Sequence, residues 1–152
     1  MSDYLLLAAA EGDALASWRW KVGGVAEVVA LSLSGDIFYK DSSNHVYWLD
    51  TGAGTTERIA SSESGFLALL GNPERAADLL LQPVVEAFFR TSGPLPFGKC
   101  LGYKMLPIFG GDYAGENRVP LPASEHFMFT GEVHQQIKDL PDGGQVKFKV
   151  VD

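Results

Sequence analysis

The sequence predicts an α+β fold, an antiparallel β-meander packed with several helices in a single domain. Two β-prone runs, "DIFYK" and "HVYWLD", flank the polar segment "DSSN", which is a hairpin signal. Downstream, capping residues precede apolar positions at helical spacing. Seventeen glycines and eight prolines in 152 residues demand more turns than a helix bundle contains. The length suits one domain with a real core.

The elements follow in order. Residues 3–20 read as a short helix, with Leu5, Leu15 and Trp18 among its apolar positions and Gly23-Gly24 as its stop. Residues 1–24 are therefore expected to form an N-terminal helical extension to an α+β domain over 25–152. Val25 to Leu33 is β-prone, and the hairpin comes next. Its adjacent aromatic pairs, Phe38-Tyr39 and Tyr47-Trp48, put an aromatic on each face of each strand. Both faces are then covered, or one is left as an apolar patch for a partner. "TGAGTTERIA" reads as a turn and a short strand, completing the meander.

Serines 61, 62 and 64 can cap a helix carrying Phe66, Leu69 and Leu70. Asn72-Pro73 starts another, as an N-cap residue followed by Pro at the first helical position. Pro83 breaks that helix or opens a new one, which Gly93-Pro94 ends. "FGKCLGYKMLPIFGG" is a strand region, and 124–140 is helical with Phe127, Gly131 and His134 on one stripe. "PDGG" (141–144) is a turn, and "QVKFKVV" alternates as a closing strand.

The bulk numbers narrow the function. A net charge of −7 is the wrong sign for nucleic acid; it suits simple solubility first, or capture of a basic protein. One cysteine, Cys100, allows no internal disulfide and no thiolate zinc cluster; in its strand-like run it reads as a buried thiol. The N-terminus lacks the basic start of a secretion signal, and no apolar run approaches membrane-spanning length, so a cytoplasmic protein is expected.

Catalytic and cofactor patterns fail on inspection. "GAGTTE" (52–57) starts like a dinucleotide fingerprint, but Glu57 stands where a third glycine belongs, and a carboxylate there would repel a pyrophosphate. His126 and His134 lie two helical turns apart, about 12 Å in rise, too far to share one ion. No Gly-x-Ser-x-Gly elbow exists. No enzyme, metal site or cofactor is expected.

The segment "LPIFGGDYAGENRVPLP" (106–122) resembles a glycine-rich cradle, but it lacks the glycine spacing and the immediately following helix that phosphate binding needs. It reads as a structural corner between a strand and the helix near Ser124. Its polar tip, Asp112, Tyr113, Glu116, Asn117 and Arg118, is the expected partner contact.

"GDIFYKDSSNHVYWLDTGAGTTERIASSESGFLALL", "KCLGYKMLPIFGGDYAGEN" and "GEVHQQIKDLPDGGQVKF" together resemble the C-terminal domain of type VI secretion immunity proteins that neutralise a DNase effector. The similarity runs in order from about residue 25 to about residue 150. Many members of that family are catalogued only as a domain of unknown function. Some carry an extra N-terminal domain related to one found in tRNA synthetases; with about 24 residues before the match, a stand-alone version is expected here. The resemblance implies a non-enzymatic domain that binds and occludes a cognate toxin, which for a nuclease would be basic. The alternative is a ligand-binding or regulatory module of the same fold, using the 106–122 loop and the helix after it.

Overall fold

The computed structural model describes residues 2–6 and 13–140. The expected turn at 141–144 and the closing strand after it lie outside the described residues. The fold is the anticipated α+β arrangement. A four-stranded antiparallel meander, β1 (Glu27–Leu31), β2 (Ile37–Lys40), β3 (Val46–Asp50) and β4 (Thr55–Ala60), pairs in sequence order.

The β2–β3 turn forms because Asp41 supplies an acceptor where the ladder ends. Its Oδ1 accepts the Ser43 and His45 N–H groups at 2.9 and 3.0 Å, and Asn44 takes the left-handed conformation (φ 66°) that short polar side chains tolerate. The register then sets Phe38 opposite Trp48 and Tyr39 opposite Tyr47. Both pairs stack, with centroids 6.3 and 5.2 Å apart.

The strand period divides these pairs between two cores. Phe38 and Val46 pack with Phe66, Leu70 and Leu79 on one face. Ile37, Tyr39 and Leu49 pack with Leu15, Trp18 and Phe127 on the other. Both faces of the hairpin are covered, as the adjacent aromatics allowed.

The first face is closed by α2 (Glu63–Leu70) and α3 (Pro73–Leu79). Ser62 caps α2 by accepting the Gly65 N–H, and Asn72 caps α3 by accepting those of Glu74 and Arg75. Leu81, in a left-handed conformation (φ 48°), separates α3 from α4 (Gln82–Ser92), with Pro83 in the first turn of α4. The new-helix reading of Pro83 is the one the chain adopts.

The N-terminal segment departs from the expected helix. Its described parts are 3-10 turns at Ser2–Tyr4 and Ala16–Trp18, the second running into α1 (Arg19–Val22). Between the two turns, the Leu6 N–H donates to the Leu31 carbonyl at 2.8 Å, and the Leu33 N–H donates to Tyr4 at 2.9 Å. The chain continuing β1 offers backbone groups that need partners, and that ladder overrides local apolar spacing.

β5 (Lys99–Tyr103) and β6 (Arg118–Pro122) form a separate antiparallel pair, joined to the β1–β2 connection where the Leu101 N–H donates to Leu33 at 2.8 Å. α5 (Ala123–Ile137) starts directly from β6 and crosses the second face of the large sheet. The 106–122 segment is thus the corner anticipated, though its last five residues form β6.

Candidate functional site

β5 ends at Tyr103, and the chain needs 14 residues, Lys104 to Asn117, to reach β6. This loop is built around two glycines, one required by its backbone angle and one by a close approach. Gly110 closes a 3-10 turn (Pro107–Phe109) with φ 99°, a conformation that a Cβ would strain. Gly111 lies so near the Met105 carbonyl that a Cβ could not fit between them. Asn117 then reaches back across the loop: its Oδ1 accepts the Met105 N–H at 3.0 Å, and its Nδ2 donates to the Met105 and Asp112 carbonyls at 2.8 and 2.7 Å.

The expected tip residues separate by role. Asp112 and Glu116 are exposed. Tyr113 is half-buried, and its hydroxyl donates to Asp50 Oδ2 at 2.8 Å, pinning the loop to the end of β3. Burial and this carboxylate raise the Tyr113 pKa. Asn117 serves the loop backbone. Arg118 is only 2% exposed, so the expectation of an exposed tip needs correcting at its end. The Arg118 guanidinium turns inward, donating to the Ser34 and Leu101 carbonyls and stacking on Tyr103.

Arg118 enters a buried polar knot that no sequence motif announced. Its centre is Gly35-Asp36, where the chain turns into β2. Asp36 accepts hydrogen bonds from the Thr51 N–H (3.1 Å) and from the Trp48 indole (2.9 Å). The Gly35 carbonyl accepts from the Thr51 hydroxyl at 2.6 Å and from His126 Nε2 at 2.9 Å. His134 Nε2 donates to the Thr51 carbonyl at 2.9 Å. Burial, then the nearby Asp50 charge, push the Asp36 carboxyl up to about 7. Burial pushes His126 down to about 4 and lowers His134. Two neutral histidines bonded to backbone carbonyls are structural ties between α5 and the sheet. Among the described residues no cluster of His, Cys, Asp and Glu is arranged to hold a metal ion. Cys100 is buried, and burial pushes its thiol up to about 12, far from a reactive thiolate.

The surface beside the loop is apolar. Met105 (54% exposed) and Phe129 of α5 (55%) line a hollow of about 310 Å³ with Tyr103, Lys104, Leu106 and Phe109. Ile108, in the same loop, is also exposed. A larger groove of about 1070 Å³, on another side, has walls that include Leu6, Leu33, Leu95, Phe97, Phe127 and Met128. Sequence reasoning missed Phe129 because the stripe it followed on α5 was the buried one. Phe129 lies two positions from Phe127, so a helix carries it about 200° around from the core.

Residues 60–134 match the family described as "T6SS immunity protein Tdi1, C-terminal". The matched stretch is just under half of the chain. It runs from the end of β4 to α5 and contains the whole 104–117 loop, the polar side chains of Arg118 and both α5 histidines, and the hollow. The type VI immunity resemblance read from the sequence is borne out over these residues, a narrower span than 25–150. Among solved structures, the "Crystal structure of Atu4351 from Agrobacterium tumefaciens" superposes with a TM-score of 0.57 at 14% identity, over 76% of this chain and 61% of that one. At that identity the likeness is one of fold, and this chain spans about three-fifths of that protein's length. No curated protein matches. Among the described residues no helix is long and apolar enough to cross a membrane.

Proposed function

We propose that this chain is a cytoplasmic, non-enzymatic immunity protein that binds a cognate toxin and blocks its active site. The family match over 60–134 is the observation that carries this reading. A nuclease is the toxin class that suits the chemistry: surfaces that hold nucleic acid are basic, and a chain of net charge −7 complements them. Opposite charge accelerates encounter, which favours an inhibitor that must act before its target does damage. The contact we assign begins at the exposed Asp112 and Glu116 and the half-buried Tyr113, with Asn117 and Arg118 holding the loop beneath them.

Co-expression with the product of the neighbouring gene, as the candidate toxin, tests the proposal. Cells should survive with both proteins and die with the toxin alone, and the two should co-elute on gel filtration. Equal killing with and without this chain, and no complex, would overturn it. The 1070 Å³ groove favours a second reading, a module that binds a small apolar ligand. That reading predicts thermal stabilisation by such ligands and no protection against the toxin.

A further inference from the structure

We infer that the hollow between the 104–117 loop and α5 is where the partner toxin seats an apolar side chain flanked by lysine or arginine. The inference rests on the immunity reading above and names the surface it uses.

Burial is the first argument. Met105 and Phe129 each leave about half of their surface in water although they share one concavity. Each could have been placed inward on its element, as Leu106 and Phe127 are. Grouped exposed apolar side chains around a cavity mark contact sites, and a pocket of this size accepts one large side chain. A methionine at the edge lets the wall adapt to what enters, while Phe129 on a helix gives a rigid wall.

Charge selects the occupant. Glu125 and Glu132 are exposed on α5 four residues before and three residues after Phe129, so they flank it on the same helix face. Asp112 and Glu116 are exposed further along the same loop, outside the residues that line the hollow. Lys104 is the one basic residue among those lining the hollow. A second copy of this chain would bring the same acids against each other on a molecule already at −7, which is repulsive. A partner with basic residues around an apolar anchor meets both features.

The loop's construction fits a recognition element. Asn117, Gly111 and the Tyr113–Asp50 hydrogen bond hold the wall in place before contact, so little ordering is needed on binding.

The test uses the full chain and a catalytically inactivated form of the candidate toxin from the co-expression experiment, with affinity measured by calorimetry or surface capture. Phe129→Ala and Met105→Ala should each weaken binding about ten-fold or more, while leaving the thermal unfolding midpoint close to that of the wild type. Val25→Ala, which truncates a side chain 70% exposed elsewhere on the surface, should bind like wild type. Glu125→Gln with Glu132→Gln should slow association and flatten its salt dependence, with dissociation little changed. If wild type binds the toxin and both apolar truncations bind within about two-fold of it, the hollow is not the seat although the immunity reading survives. If those truncations only convert a dimer of this chain to monomer, the occupant is a second copy and the inference falls. If wild type does not bind the toxin at all, the immunity reading fails and this inference with it.

Discussion

The guanidinium of Arg118 lies 3.9 Å over the ring of Tyr103, its register partner across the β5–β6 pair. The same group donates to the carbonyls of Leu101 and Ser34. One side chain therefore ties the small sheet to the turn that opens β2. It does so from a site 2% exposed.

Removing it should be costly. Arg118→Ala leaves two buried carbonyls without this donor and a void above Tyr103, so a loss of about 2–4 kcal/mol is expected in urea denaturation. Asp112→Ala and Glu116→Ala, at exposed positions, should each change stability by less than about 0.5 kcal/mol. An Arg118→Ala protein as stable as wild type would show that the knot does not depend on this charge.

The pH profile of stability should reveal a balance of opposing groups. Asp36 titrates at about 7 when folded, against about 3.9 when unfolded. The folded state holds the extra proton between those values, so this group lowers stability as pH rises from about 4 to about 7. His126 titrates at about 4 when folded, against about 6.5 when unfolded. There the unfolded state holds the extra proton, so stability rises over the same interval, and the lowered His134 adds in the same direction. Wild type should therefore vary little between about pH 4 and 6.5. Asp36→Asn removes the falling contribution, and its stability should climb with pH by about 1–3 kcal/mol across that range. Denaturant titrations at a series of pH values check this; a flat profile for the variant would contradict the assignment.

Gly110 and Gly111 should respond differently to alanine. At Gly110 nothing lies within 4 Å of an added Cβ, and only its φ of 99° resists; the cost should be about 1 kcal/mol. At Gly111 the Cβ collides with the Met105 backbone carbonyl. Gly111→Ala should cost about 2 kcal/mol or more and speed amide exchange across 104–117. Equal effects at the two positions would mean that the loop relaxes freely around Met105.

Tyr113→Phe deletes the hydroxyl that donates to Asp50 Oδ2 at 2.8 Å and keeps the ring edge-on to Tyr103. Global stability should fall by about 1 kcal/mol. Toxin affinity should fall further than that loss of stability explains, because the loop would have to be ordered on binding. Unchanged affinity with a folded variant would show that the tether does not prepare the contact surface.

The sequence by itself determined the local architecture. Asp41 to Asn44 set the hairpin, Ser62 and Asn72-Pro73 set the starts of α2 and α3, and the paired aromatics put a ring on each face of each strand. Each is a short-range rule in which neighbouring residues satisfy each other's backbone groups or alternate across a strand. The motif blocks also carried the immunity-family resemblance, matched over 60–134. Only the tertiary structure decided the rest. Residues 4–6 became a ladder beside 31–33 because distant backbone groups needed partners. Arg118 turned inward because Ser34 and Tyr103, 84 and 15 positions away, form the site that receives it. Phe129 was left exposed beside Met105 because the corner from β5 folds back against the outer face of α5. Pairings between residues so far apart leave no period in the chain, so the polar knot and the apolar hollow appear only once β5, β6 and α5 are packed.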